Sequence, residues 1–588
     1  MHIQESNVFK MLKEGSVQYQ IPVYQRKYSW ETNQCIKLLQ DVIDVSNDKK
    51  REKHFVGSII YMGVGDSGAG ILNKYHIIDG QQRLTTLSLL LIALADYAKE
   101  KLTEEECIRE HLSFREIKNS FLVNEWYANT DEYYKLKLTD LDFKVYKNLL
   151  ETRCLPNDIE ENTVFSNYNI LLSELKKKDI DPLIVYKGIG KFALANVSID
   201  ESDDAQLVFE TVNTTGKELD TADKIRNYIL MKLNNEQQKK IYDEYWLPME
   251  KSFGLDKAGV KELKNFIYYY VGVLTQDNLP DDYYDIFKDY HHNMDYENTL
   301  TAVKKIFEFS KHYKLWIDVN ETSIGFKKLL YRIKLTNQYK LTPAILQIIH
   351  NKSIDAISEE DASEMLKIIE SYVVRREMYG RDSKTAAYIK IQRSTDSVNN
   401  LINCIHSLTD NQSMPTDKEL QNELLTRPLF KIKHKQIGIW LERMEQNINK
   451  DYRKGDHSIE HIMPQTIYSH EELYARNDIS IQTKEELDWA NDLGDNWKDI
   501  QEKYVHTIGN LTLTGYNSPY QNYRFSVKRD MENEINGKRY GYKFSPINLS
   551  SSLAKLEKFT EEEIVNRSKE MVTMITQVWK YPNKPLSK

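Results

Sequence analysis

At 588 residues the chain is too long for a single hydrophobic core, and its length corresponds to roughly three or four domains. Its 40% hydrophobic and 29% charged residues describe a soluble globular protein, and no apolar run is long enough to span a bilayer, so a cytoplasmic protein with no membrane partner is expected. A net charge of −8 supplies no global field for nucleic acid, and four scattered cysteines without a C-x-x-C pair imply neither a zinc ribbon nor a disulfide framework.

"YQIPVYQRKYSWETNQCIKLLQDVIDV" reads as an extended segment through Trp30. A helix follows from Glu31 or Thr32, with Cys35, Leu38, Leu39 and Ile43 facing inward. "HFVGSIIYMG" and "ILNKYHIID" are rich in β-branched and aromatic residues and read as the strands of a hairpin. The Gly-rich "GVGDSGAG" between them lacks the Lys-Ser/Thr ending of a P-loop and reads as its turn.

In "IIDGQQRLTTLSLLLIALADYAKE", Asp79 ends the second strand and Gly80 permits a tight turn. Gln82 and Arg83 enter a helix whose inner side is Leu84, Leu87, Leu91 and Leu94. Unpaired N–H groups at a helix start attract anions, Arg83 adds a forked donor, and Asp79 could hold a Mg²⁺ that bridges phosphates. Alternatively, Asp79 caps the helix and Arg83 makes a structural ion pair. Further on, "FALANVSI" reads as a strand, with a helix from about Asp204. "NTTGKELDTADKIRNYIL" reads as a turn at Gly216, a cap near Asp220 and Thr221, and another helix, and its composition makes Asn213, Lys217 and Asp223 caps or turn formers.

"IPVYQRKYSW", "IIDGQQRLTTL" and "VFETVNTTGKELDTADKIRNYIL" occur in an order and spacing that resemble the N-terminal domain of GmrSD-type modification-dependent restriction enzymes, a module also found in SspE and BrxU anti-phage proteins. The resemblance implies a ParB/sulfiredoxin-like fold that binds and hydrolyses GTP or another NTP. It places Asp79, Gly80, Gln81, Gln82 and Arg83 at the nucleotide centre, with Asp79 and Arg83 catalytic. Tyr24, Gln25 and Arg26 form a second edge, Asn213 and Lys217 approach from a third segment, and Asp223 steadies the following helix.

Residues 236–425 carry helical periodicities broken at Pro280, Pro343 and Pro415. "YVVRREMYGRDSK" gathers Arg375, Arg376 and Arg381 with Tyr372 and Tyr379; a solvated helix face is favoured there over a nucleic-acid contact.

"GDHSIEHIMPQT" contains His457, Glu460 and His461 in the H-x-x-E-H order of one zinc-protease class. That chemistry needs both imidazoles on one helix, but Gly455 and Pro464 leave little room for one. "SIEHIMP" reads instead as a strand, which separates the two histidines by roughly 13 Å at about 3.3 Å per residue. Downstream, "VHTIGNLTLTGYNSPYQNYRFSVKRDM" gives Gly509-Asn510, a strand "LTLT", and Asn517 near the start of a helix carrying Asn522, Phe525 and Lys528. This is the strand–strand–helix order of an HNH, or His-Me finger, nuclease.

The span resembles the HNH-type C-terminal domain of GmrSD enzymes. His461 is then the catalytic general base, Asn510 orients that imidazole or its loop, Glu460 and Asn517 approach a Mg²⁺ or Mn²⁺ ion with Asn522 as a second candidate, and Lys528 contacts DNA phosphate. Glu460 stands where the better-known pattern has Asp, and Asn where it has a final His. Lys431, Lys433, Lys435, Lys538, Arg539 and Lys543 could track DNA or be simply solvated.

The expected fold is α+β and predominantly helical: a GmrS-like nucleotide-binding sensor at 1–240, a helical scaffold at 241–425 and a GmrD-like ββα-metal nuclease domain at 426–588. The expected function is nucleotide-dependent cleavage of modified or phage double-stranded DNA in anti-phage defence, by a chain that could pair as a homodimer. A nucleotide-regulated DNA-binding protein with an inactive nuclease domain and a zinc metalloprotease are the alternatives.

Overall fold

Side-chain alternation along two neighbouring strands builds the N-terminal part. Ile59 and Ile77 point into one apolar cluster, while Ile60 and Ile78, one residue on, point into another on the opposite face of the sheet. A computed structural model describes residues 1–584 except 65–71, 200–202, 204–207, 209–219, 255, 279, 281, 293, 382–383, 450–451, 453–456, 516–519, 533, 536–537 and 540. The chain is predominantly helical with a mixed sheet, an α+β fold. No described helix is long and apolar enough to cross a membrane.

Contacts divide the chain into two compact units. The first comprises residues 1–267 and 281–307, and the second residues 268–280 and 308–588, so the helical middle is shared between them.

In the first unit, β1 (His2–Asn7), β2 (Val17–Gln20), β3 (His54–Val64), β4 (Asn73–Asp79), β5 (Leu136–Lys137) and β6 (Phe192–Ile199) form one sheet in the order β1-β6-β3-β4-β2-β5. β3 and β4 pair antiparallel as expected of a hairpin, whereas β3–β6, β4–β2 and β2–β5 are parallel. The Gln81–Lys101 helix is buried on nearly every side, because its leucines and alanines pack on the sheet and against the Thr163–Lys178 helix. The Thr32–Asn47 helix starts where expected, with a capping box between Glu31 and Gln34, and buries Cys35, Leu38, Leu39 and Ile43. The segment 21–30 is irregular rather than a strand. The helix expected from about Asp204 lies outside the described residues, but Asp220 caps the Thr221–Met231 helix by accepting from the Asp223 N–H at 2.9 Å.

In the second unit, helices Gly325–Leu335, Thr342–Ser353, Glu359–Tyr379 and His434–Ile448 precede a small antiparallel pair, β7 (Ser458–His461) and β8 (Leu511–Thr514). Leu511 and Leu513 join Trp440, Leu441 and Ile575 in one core, and Ile462 and Met463 join Trp489, Phe525 and Tyr542 in another. Arg375 and Arg376 correct both readings of their cluster. They are buried, and donate to the carbonyls of Pro415, Trp579 and Ser413 and to Asp417. Arg381 reaches Ser413 and Glu419. These side chains staple loops to the Glu359–Tyr379 helix instead of facing solvent or nucleic acid.

Candidate functional site

Two places gather the motif residues. In the first unit Asp79 ends β4, and Gly80 follows with φ 92°, a conformation that strains any residue with a side chain. The Gly80 N–H donates to the Asp79 carboxylate. Arg83 donates from Nη1 to the Ser58 carbonyl at 2.7 Å. Burial pushes the Asp79 carboxyl up and the Arg26 and Arg83 guanidiniums down, and the attraction between Asp79 and the two arginines opposes these shifts. Asp223 and Asp220 also act on Arg26, which makes no hydrogen bond or ion pair among the described residues. Three distant segments therefore bring two guanidiniums and three carboxylates together.

The amides around this cluster do different work. Gln25 donates to the Ile78 carbonyl at 3.0 Å and accepts from Gln81 Nε2 at 3.0 Å. Gln82 accepts from the Ser29 N–H at 2.8 Å and donates to the Lys27 carbonyl. Tyr24 is buried, and its carbonyl accepts from Arg226 Nε. These contacts brace the 24–29 loop against the Gln81–Lys101 helix, which leaves Arg26, Asp79, Gly80 and Arg83 as the groups suited to a ligand. The adjoining cleft among described residues, about 10 Å³, is far smaller than the roughly 300 Å³ or more of a ligand pocket. Asn213 and Lys217 lie outside the described residues.

In the second unit His461 is the last residue of β7, opposite Leu511 of β8. β7 ends there because the chain turns into Pro464, held by the fully buried Asn510. Asn510 Nδ2 donates to the carbonyls of Met463 (2.8 Å) and Val505 (2.9 Å), and its Oδ1 accepts from the Met463 N–H at 2.7 Å. A Cβ at Gly509 would stand 2.1 Å from Ser568 Oγ and 2.4 Å from the Ile564 carbonyl, so this corner rests directly on the Glu561–Val578 helix.

The His461 imidazole is buried, with Nε2 3.3 Å from His506 Nδ1 and Nδ1 3.5 Å from Gln465 Nε2. Phe430 packs edge-on against it, 4.4 Å between centroids. Burial first, then the nearby His506, Lys528 and His434, push its pKa down to about 4, so the ring is neutral at pH 7. Behind β7, the short Phe525–Asp530 helix presents Lys528, whose Nζ donates to Glu460 Oε1 at 2.6 Å and to the carbonyls of His461 and Ile462, each at 3.1 Å. Strand, strand and helix thus close around one histidine and one buried ion pair.

Residues 6–230 match the family model of the GmrSD restriction endonuclease N-terminal domain, and residues 414–574 that of the GmrSD restriction endonucleases' C-terminal domain, together about two thirds of the chain. The chain belongs to the GmrSD restriction endonucleases. No protein in the curated set matches it. Membership makes it a DNA endonuclease of defence, with DNA as its partner.

Within this GmrSD chain several expected assignments change. Lys528 is fully buried and donates only to internal acceptors, so it offers no ammonium to DNA. Glu460 is committed to Lys528 rather than to a metal, and its burial, which raises the carboxyl's pKa, is opposed by that lysine. Asn522 precedes the Phe525–Asp530 helix instead of riding on it. Asn517 lies outside the described residues. Asn510 takes the second of the two roles expected of it, holding the loop after His461. His457 bonds the Tyr452 hydroxyl at 2.9 Å and precedes an extended strand, which removes the helix a zinc-protease pair requires.

Among the described residues, no three His, Cys, Asp or Glu ligand atoms cluster beside His461. Among the described residues, the one group of three ligating atoms within 4.8 Å of one another is Glu308, His312 and His350, elsewhere in the unit. His506 was the residue missed at the site. Its place four residues before Asn510 in "VHTIGN" is the available signal, since the β7–β8 pairing brings that segment back to His461. Lys431 is exposed and acts on His506, and Lys435 is exposed; Lys543 pairs with Asp530.

Proposed function

We propose that this protein hydrolyses phosphodiester bonds in modified or phage DNA with His461 as general base in an HNH-type ββα unit, under the control of GTP or another NTP bound near Asp79 and Arg83. The observation that carries the reading is a buried imidazole at a strand end, its pKa pushed down by burial, whose Nε2 lies 3.3 Å from a second histidine's Nδ1. With the proton of His461 on Nε2, that N–H donates to His506 Nδ1, and the Nδ1 lone pair, approached by the Gln465 amide at 3.5 Å, serves the attacking water once that long contact gives way. Taking the water's proton makes an imidazolium whose Nε2–H stays bonded to His506, so His506 holds the base in one tautomer. Asn510 fixes the strand-to-loop corner from which His461 acts. A Mg²⁺ or Mn²⁺ ion, when bound, would stabilise charge on the phosphate and the leaving oxygen. At the other end, Arg26 and Arg83 supply positive charge for nucleotide phosphates beside Asp79.

The test incubates the protein with plain, glucosylated hydroxymethylcytosine and phosphorothioate DNA, with and without GTP and with Mg²⁺ or Mn²⁺. Cleavage should require His461 and respond to Arg83→Gln through the nucleotide. Identical behaviour of wild type and His461→Ala in every tube refutes the nuclease assignment. The engagement of Glu460 by Lys528 favours one second reading, a nucleotide-regulated DNA-binding protein with an inactive nuclease domain, which predicts binding without cleavage in the same tubes.

A further inference from the structure

The second unit contains a cavity of about 370 Å³ far larger than the cleft lined by Arg26 and Gln81. Its walls come from helices Gly325–Leu335, Glu359–Tyr379 and His434–Ile448, and its lining includes Arg332, Arg443, Glu370, Tyr331, Trp440 and Tyr452.

Lys328, Arg332 and Arg443 face Glu321, Glu370 and Glu442 across this lining, yet two arginine N–H groups go unanswered. Arg332 makes no hydrogen bond or ion pair among the described residues, and its Nε is buried without a partner. Arg443 Nε is likewise buried without a hydrogen bond, and its nearest carboxylate oxygen, on Glu370, is 3.9 Å away. Glu370 accepts from Trp579 Nε1 at 3.3 Å, so the one carboxylate shared by the two arginines is already engaged. Burial lowers the Arg443 pKa, and the charge of Arg332 lowers it further. Two guanidiniums close enough to repel, each with an unanswered N–H and with Glu370 near both but hydrogen-bonded to Trp579, leave donors that an added anion would satisfy. The volume far exceeds what a bare phosphate requires and falls within the range of organic ligands. Tyr331, Trp440 and Tyr452 add aromatic surface on which a planar ring can stack.

We propose that this cavity is a binding site for one nucleotide unit, with its phosphate between Arg332 and Arg443 and its base against the aromatic wall. The site is separate from the Asp79 cluster and from His461, and it has a route to the latter. The His434–Ile448 helix lines the cavity with Trp440 and Arg443 and carries His434 at its start, where Phe430 packs on both His434 and His461. Tyr452 bonds and stacks on His457 just before β7. The same chemistry is offered by a free mononucleotide and by a nucleotide everted from DNA.

The experiment titrates the full-length Arg83→Gln protein, in which the first-unit cluster is weakened, with dCMP, dGMP and inorganic phosphate by calorimetry. Saturable binding of a nucleoside monophosphate is expected, at least tenfold tighter than phosphate. It should weaken at least tenfold when Arg332→Gln and Arg443→Gln are added, with circular dichroism unchanged. Should that variant fail to fold, Tyr331→Ala serves in its place and must weaken dCMP binding while leaving phosphate binding as it was. A short single-stranded oligodeoxynucleotide that displaces dCMP identifies a DNA nucleotide as the occupant, and one that does not identifies a free nucleotide. No saturable binding at millimolar nucleotide, or binding equal in the arginine variants, or phosphate binding as tightly as dCMP, overturns the proposal. None of these results bears on whether His461→Ala abolishes cleavage.

Discussion

Lys528→Met decides between a lysine that serves DNA and one that serves the fold. In the structure Nζ is fully buried and makes three hydrogen bonds, one of them to Glu460, itself only 7% exposed. Methionine fills similar volume but leaves the Glu460 carboxylate buried beside two unanswered carbonyls. Breaking one side of a buried pair costs about 3–5 kcal/mol. At about 2–4 °C per kcal/mol for a unit of this size, the melting transition of the second unit should fall by roughly 10 °C. Glu460→Gln combined with Lys528→Met removes both charges and should recover much of that loss, a coupling of about 1–3 kcal/mol in a double-mutant cycle. DNA affinity of the folded single variant, measured against salt, should keep its slope. A melting temperature unchanged by Lys528→Met, together with a salt slope reduced by about one, would refute the buried-pair reasoning and restore a phosphate contact.

Three further outcomes are expected. Asn510→Ala strands the buried Met463 N–H and two carbonyls, and should cost about 3 kcal/mol in urea unfolding and lower cleavage with it; a stability change under 1 kcal/mol would show that the corner does not depend on this amide. Gly80→Ala places a Cβ 2.4 Å from Ile59 Cδ1 in a left-handed backbone and should destabilise the first unit by about 2 kcal/mol, as read by thermal unfolding and by weakened GTP binding. His461 has its folded pKa depressed to about 4, so below about pH 6.5 the unfolded chain binds a proton that the folded chain refuses. Its contribution therefore lowers stability as pH falls from about 6.5 to 4, by roughly 3 kcal/mol in all, while the acid limb of kcat/KM should appear near pH 4. An acid limb centred near 6.5 would show that another group, or an exposed His461, sets the profile.

Local chemistry was legible in the chain itself. β-branched residues and Gly80 marked the β4–turn–helix unit, Glu31 marked a helix start, and Pro464 after Ile459 and Ile462 marked a strand where H-x-x-E-H suggested a helix. Each of these rests on backbone preferences that act over a few residues, so neighbouring letters carry them. The family resemblance likewise rested on short ordered motifs, and both ends of the chain match the family.

What each charged side chain does was decided only by tertiary structure. Lys528 and Glu460 are 68 residues apart and Arg375 and the Trp579 carbonyl 204 apart, so no local pattern shows that these cations are buried and answered from within. His506 reaches His461 only because β8 returns beside β7, and Arg332 and Arg443 line one cavity only because three helices enclose it. An ionic group's pKa and partners depend on distance and dielectric, which the folded chain sets and the order of residues does not. Hence the order of residues fixes where these strands and helices begin and which family the chain resembles, while packing settles which of its histidines, lysines and arginines remain available for chemistry.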